Sequence, residues 1–211
     1  MKRIVVLVSG RGSNLEALIA AIKAGFVNAK IVGVISDRAD AIALEKAKHE
    51  KIAASVIDAK ATTSAEGLEN ALTAATQNYR PDLILLAGFM RILSPRFVGN
   101  FEGRIMNIHP SLLPAYKGLD THRRVLEAGE AFHGCSVHFV TAKLDAGPLI
   151  IQARVAVNKD DDPQSLAARV LVQEHRIYPH AAALFCEDRI KMQNRQCLLD
   201  NKVLEQPLSL D

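Results

Sequence analysis

The run Arg3-Ile-Val-Val-Leu-Val-Ser-Gly-Arg-Gly-Ser-Asn-Leu-Glu-Ala-Leu-Ile-Ala-Ala-Ile-Lys23 decides the fold class. Ile4 to Val8 are apolar without a break and rich in β-branched residues, and Ser9-Gly10 stops them, so Arg3–Ser9 reads as a buried strand. Leu15, Leu18, Ile19 and Ile22 then recur at helical spacing, so Asn14–Lys23 reads as a helix, closed by Gly25. A strand, a glycine-rich loop and a helix in that order open a βαβ unit.

The alternation continues. Lys30–Ser36 and Ala54–Ile57 read as strands, Ala41–Glu50 as a helix, and Thr63 to Asn78 as a third helix ended by Tyr79-Arg-Pro81. Leu83–Ala87 is another unbroken apolar strand. Continuous apolar strands separated by helices mean a parallel sheet covered on both faces, so the expected fold is a doubly wound, Rossmann-like α/β domain. The second half adds a short strand Ile105–Ile108, a helix Thr121–Ala128, strands Cys135–Val140 and Leu149–Val157, and a long helix Pro163–Phe185. The two strands around Leu144-Asp-Ala-Gly-Pro148 read as an antiparallel hairpin, and Ile190–Leu199 with Asn201–Leu204 as a small hairpin about Asp200-Asn201.

Length and composition fit this picture. A chain of 211 residues, 49% hydrophobic and 23% charged, is expected to form one globular domain, residues 1–211, without disulfides or structural metal. No apolar run approaches the ~20 residues of a membrane span. Nor is a secretory leader expected, since the apolar stretch behind Lys2 and Arg3 ends at Ser9-Gly10. Three unpaired cysteines, Cys135, Cys186 and Cys197, suit reduced thiols in the cytoplasm. A net charge of +3 does not predict nucleic-acid binding, though it suits a small anionic substrate.

Three places could carry chemistry. Ser9-Gly-Arg-Gly-Ser-Asn14 lies where open α/β sheets bind ligands, and a helix N-terminus there offers free N–H groups to an anion. The alternative is a tight turn with Ser13 as N-cap. Asn107 and His109 alternate with Met106 and Ile108, so they share one side of a strand, as an oxyanion donor beside a proton carrier or as a hydrogen-bonded core pair. Asp145 sits in a turn, either for turn chemistry or as the carboxylate that orients the histidine.

Other clusters read as structural. Cys135 and His138 would point to opposite faces of a strand, and no Cys-x-x-Cys accompanies them, so no metal site is expected. Ser111 lacks a nucleophile elbow. Asp160-Asp-Asp162 before Pro163 reads as a solvated charge run favouring the helix dipole, and Glu174 and His175 as exposed helix residues.

Taken together, Asn107-Ile-His-Pro-Ser-Leu-Leu-Pro114, Gly118, Gly134-Cys-Ser-Val-His138 and Leu144-Asp-Ala-Gly-Pro148 resemble the folate-dependent formyltransferases. Ser9-Gly-Arg-Gly-Ser-Asn14, Leu86-Ala-Gly-Phe-Met-Arg-Ile-Leu93 and Gln173-Glu174-His175 look like the members that act on glycinamide ribonucleotide in purine biosynthesis. The resemblance runs from Ile4 to about Asp200, with its segments in the family's order. It implies transfer of the formyl group of 10-formyltetrahydrofolate, as cosubstrate, to the ribonucleotide's amine, with no metal. Methionyl-tRNA formyltransferase carries a further C-terminal domain, for which this length leaves no room. Formyltetrahydrofolate hydrolase carries an N-terminal regulatory domain, whereas the first strand here starts at residue 3.

Carried over residue by residue, the resemblance makes Asn107, His109 and Asp145 catalytic. It gives the ribonucleotide to Gly12, Ser13, Asn14 and Glu174. It gives the folate to Met90, Arg91, Ile92 and Leu93, to Asn107, and to Thr141, Ala142, Lys143, Leu144 and Asp145. The N-terminal half would thus bind ribonucleotide phosphate, and the C-terminal half folate. Ala65 and Leu171 depart from the family's Arg and Gln, leaving contacts to the folate glutamate tail and the phosphate edge without their usual residue. A cis bond before Pro114 is expected. Partners would be small molecules only, with the chain a monomer or homodimer. A non-catalytic nucleotide-binding module and a dehydrogenase are the competing classes. The first would not need Asn107, His109 and Asp145 together, and the second would need a third glycine in the loop.

Overall fold

The computed structural model describes residues 1–57 and 64–210, and the chain divides into two compact units, Met1–Met106 and Asn107–Asp211. The first contains β1 (Lys2–Val8), α1 (Ser13–Lys23), β2 (Ala29–Ser36), α2 (Ile42–His49), β3 (Ala54–Val56), α3 (Ala65–Asn78), β4 (Leu83–Leu86) and α4 (Pro95–Asn100). Its strands lie in the order β4-β1-β2-β3, every pair parallel. Ile4, Val5, Val6, Leu7 and Val8 are each 0% exposed. Because successive strand residues face opposite ways, full burial of all five means that both faces of β1 are covered. Each such side chain contributes roughly 1.5–3 kcal/mol by leaving water.

Two helix starts in this unit carry a serine cap. Ser64 Oγ accepts the Gly67 N–H at 3.0 Å to cap α3, and Thr63, where that helix was expected to begin, lies outside the described residues. Helix α4 was not anticipated, although Ser94 caps it through the Phe97 N–H and Pro95 occupies its first turn.

Strand β5 (Ile105–His109) runs into the second unit, which holds α5 (Thr121–Glu127), β6 (Phe132–Phe139), β7 (Leu149–Ala156), α6 (Pro163–Cys186), β8 (Ile190–Gln193), β9 (Gln196–Leu199), β10 (Lys202–Val203) and β11 (Leu208–Ser209). Strand β6 lies between β5 and β7, pairs antiparallel with β7 as the hairpin reading expected, and begins three residues earlier than expected, at Phe132. The two-residue β11, which no pattern announced, pairs parallel with β7. The stretch Ile190–Leu199 is two strands, not one. It turns at Asn194 and Arg195, both at positive φ, giving a three-stranded antiparallel sheet β10-β9-β8. The fold class is therefore as expected: α/β, mostly parallel, with antiparallel strands in the C-terminal half.

Two further expectations need correction. The Asp160–Asp162 run is not merely solvated charge. Asp161 is bound by Arg169, with Nη1 to Oδ1 at 2.6 Å, and this guanidinium holds its carboxyl well below the usual range. Asp162 caps α6 by accepting the Gln164 and Ser165 N–H groups at 2.9 and 2.7 Å. Glu174 is not exposed: it is 8% accessible, because it shares the buried stripe of Leu166, Val170, Ile177 and Ala181 on α6.

Candidate active site

In the first unit the candidate groups are backbone groups held by glycine geometry. Gly12, not Ser13, occupies the N-cap of α1, at φ +75° and without a side-chain cap, so Ser13 is the first helical residue. A Cβ at Gly12 would lie 2.7 Å from the Ala43 Cβ and 2.9 Å from its Cα. Left-handed backbone and close approach both demand glycine here. Asn14 is buried and Ser13 half-buried.

The segment after β4 leaves the sheet through Gly88, at φ +71°. Met90 and Ile92 are 65% and 73% exposed, while Leu93 is buried at 9%. Among the described residues, no hydrogen bond engages the backbone of Arg91, Ile92 or Leu93. Open amide groups beside exposed apolar side chains suit a planar, polar-edged ring. Phe89, Arg91, Ile92, Leu93 and Phe97 also line a pocket of about 140 Å³ within this unit.

In the second unit the groups are side chains, and they form a chain of contacts. Asn107 Nδ2 lies 3.2 Å from His138 Nε2, His138 Nε2 lies 3.7 Å from Asp145 Oδ1, and Asp145 Oδ2 lies 3.6 Å from His109 Nδ1. The side chains of Asp145 and His109 are only 8% and 7% exposed. Sequence spacing left open whether Asp145 reaches His109; in the fold the two are neighbours. Asp145 is at φ +43°, a conformation that aspartate tolerates better than most residues, and its Oδ2 accepts the Gly118 N–H at 2.9 Å. The turn needs Gly147, where a Cβ would stand 1.8 Å from the Phe139 carbonyl oxygen.

His138 explains the orientation of Asn107, and the sequence reading missed it. Burial pushes its pKa from near 6.5 down to about 4, outweighing the opposing pull of Asp145, so the ring is neutral at pH 7. Its Nδ1 carries the hydrogen, donated to the Phe139 carbonyl at 2.9 Å, so Nε2 presents a lone pair. That lone pair accepts one hydrogen of the Asn107 amide, and the second hydrogen stays available. The missed signal was the need of a half-buried amide for an acceptor.

His109 differs from His138 in its surroundings. Its Nε2 lies 3.0 Å from the Tyr116 carbonyl and its Nδ1 faces the Asp145 carboxylate, so both nitrogens face groups that can only accept. The Leu113–Pro114 bond is cis, as expected.

The remaining expected groups take plain positions. Thr141 Oγ1 donates to the Lys143 carbonyl at 3.4 Å, and Ala142, Lys143 and Leu144 are exposed. Ser111 Oγ is fully buried and donates to the Ala115 carbonyl. Glu174 raises the pKa of the Cys135 thiol, though burial of that thiol is the larger cause. His133 Nε2 lies 3.0 Å from His122 Nδ1, and among the described residues no group of three potential ligands could hold a metal. The Ala65 side chain lies outside the described residues, and Leu171 is half-buried.

A family model described as Formyl transferase matches residues 2–182. The chain is 48% identical over 201 residues to the phosphoribosylglycinamide formyltransferase of Escherichia coli (strain K12), with 95% of each chain covered. It is 42% identical over 204 residues to the protein of that name from Haemophilus influenzae, covering 97% of this chain and 96% of that one. The solved phosphoribosylglycinamide formyltransferase of Coxiella burnetii superposes with a TM-score of 0.95 at 46% identity, over 100% of this chain and 99% of that chain.

Proposed function

This chain belongs to the formyl transferase family, and from that premise we propose that it moves the formyl group of 10-formyltetrahydrofolate onto the amine of glycinamide ribonucleotide. The product is formylglycinamide ribonucleotide, and the step belongs to purine biosynthesis. The contact chain Asn107–His138–Asp145–His109 is the observation that carries this reading.

The chemistry needs what that chain offers. The amine nitrogen attacks the formyl carbon and a C–N bond forms, giving a tetrahedral species with an oxyanion and an ammonium. The free Asn107 amide hydrogen and His109 Nε2–H, redirected from the Tyr116 carbonyl, donate to the oxyanion; such donors are each worth about 10²–10³ in rate. Asp145 keeps the imidazolium paired and oriented. The bond to the folate nitrogen then breaks, and the ammonium proton reaches that nitrogen through water.

Binding is assigned residue by residue. Gly12, Ser13 and Asn14 take the ribonucleotide phosphate at the N-terminus of α1, where free N–H groups and the helix dipole favour an anion. Glu174 accepts from the ribose hydroxyls. The open backbone of Arg91, Ile92 and Leu93, with Met90, Asn107 and residues 141–145, holds the folate.

The test is direct. The purified chain is given both substrates, and tetrahydrofolate release is followed by absorbance, with the ribonucleotide omitted in a control. Release that requires the ribonucleotide supports the reading. Release without it means a hydrolase, and no release means a binding module.

A further inference from the structure

One buried hydroxyl ties the glycine-rich loop of the first unit to the segment after β4. Ser9 is 4% exposed. Its Oγ donates to Asp37 Oδ1 at 2.6 Å and accepts the Met90 N–H at 2.9 Å, while its backbone N–H donates to the Gly88 carbonyl at 3.2 Å. We propose that Ser9, with Asp37 behind it, is a positioning residue that sets the 88–93 segment to receive the formyl donor. This rests on the reading of that segment as the folate site.

The direction of each bond follows from chemistry. A carboxylate oxygen only accepts, so the Ser9 hydroxyl hydrogen must go to Asp37, and its lone pair then faces Met90. The bond to a charged acceptor is about twice as strong as a neutral one, which holds the hydroxyl in one rotamer. Both ends of the turn, the Gly88 carbonyl and the Met90 N–H, are therefore fixed by one residue. The Met90 N–H is thereby committed to the protein, and the donor must find its amide partners at Arg91, Ile92 and Leu93. Asp37 has a second reach: its Oδ2 lies 4.0 Å from Arg91 Nε, a looser contact with a side chain that is 37% exposed.

Among the described residues, Ser9 is the residue that bonds both ends of this turn. Leaving Gly88 at φ +71°, the segment rests on the half-buried Phe89 and the buried Leu93, with Met90 65% exposed between them. An alanine at position 9 leaves the Met90 N–H and the Asp37 carboxylate without their shared partner. The turn loosens, and a ligand must then order it on binding. Loss should appear in donor affinity, because the ordering cost falls on the state that binds the donor, and not on the chemical step.

The experiment compares the parent with Ser9→Ala, Ser9→Thr and Asp37→Ala. Kinetics are measured against each substrate, and tetrahydrofolate affinity is titrated separately by calorimetry. In Ser9→Ala the donor KM and the tetrahydrofolate Kd should rise about tenfold, the scale of one lost hydrogen bond to a buried donor. Turnover and the ribonucleotide KM should stay within about twofold to threefold. Ser9→Thr, which keeps the hydroxyl, should recover most of the loss. Asp37→Ala, which removes what aims the hydroxyl, should move the same two quantities in the same direction. An unchanged tetrahydrofolate Kd in Ser9→Ala overturns the inference. So does a loss that falls equally on turnover and both substrates, since that marks general disorder. A parent that binds tetrahydrofolate but transfers no formyl group sinks the functional reading alone, and the affinity comparison still decides on Ser9.

Discussion

The unit Met1–Met106 and the unit Asn107–Asp211 present their candidate groups in opposite ways. The first offers backbone: the turn at Gly12, and the amides of Arg91, Ile92 and Leu93. The second offers side chains, with Asn107, His138, Asp145 and His109 linked in sequence. Backbone groups can be displayed by many side chains so long as the glycines stay. Side-chain groups tolerate no substitution at the reacting atoms but depend on partners that orient them. The backbone turns of the first unit should therefore break in affinity, and the linked side chains Asn107, Asp145 and His109 of the second in turnover.

The largest effect is expected in the second unit. His109→Ala removes one oxyanion donor and the partner of Asp145, so turnover should fall by about 10²–10³. Steady-state kinetics checks this, and a ribonucleotide KM that rises in step would contradict the division between the units.

Next comes acid sensitivity. His138 and His133 are 2% and 1% exposed, and burial, the larger cause in both, brings each to a pKa of about 4. The unfolded chain takes up these protons below about 6.5 and the native chain does not until about 4. Stability from both rings is thus complete above about 6.5 and declines as pH falls towards 4, at up to ~1.4 kcal/mol per pH unit for each ring. Urea unfolding at pH 7 and pH 5 should show a smaller drop in His133→Gln than in the parent. Equal drops would remove His133 from the account.

In the first unit, Gly12→Ala meets both a left-handed φ and the Ala43 Cβ at 2.7 Å. With strain of about 1–2 kcal/mol at the turn, ribonucleotide affinity should weaken about tenfold while turnover changes little. Calorimetry against the ribonucleotide decides, and unchanged affinity would dissociate this loop from the phosphate. The smallest effect is expected away from both. Asp162→Ala deletes the cap of α6 and should cost about 1 kcal/mol of stability, read by urea unfolding, with kinetics unaltered.

The same contrast governs what could be read from the chain. Strands such as β1 and β4 were legible because they are apolar without a break, so period and burial agree. Short elements were not: α4 has six residues and β11 two, too few for a periodic pattern to emerge. At the site, Asn107 and His109 were legible as same-side residues on a strand, and Asp145 as a turn aspartate. Their linkage through His138 was not, because pairing across 31 residues depends on the tertiary fold. Glu174 was misread for a different reason. Its charge suggested exposure, while its spacing from Leu166, Val170 and Ile177 already put it on the buried stripe of α6.

The central claim is that the Asp145–His109 pair acts in the transition state and not in binding. Asp145→Asn keeps the shape and the acceptor for Gly118 while removing the charge 3.6 Å from His109 Nδ1. The measurement is single-turnover formyl transfer beside ribonucleotide affinity in this variant and the parent. The account predicts a rate lower by at least ~10² with affinity within about twofold, the pattern of an interaction made only in the transition state. A near-normal rate, or a rate loss matched by an equal loss of affinity, would contradict it.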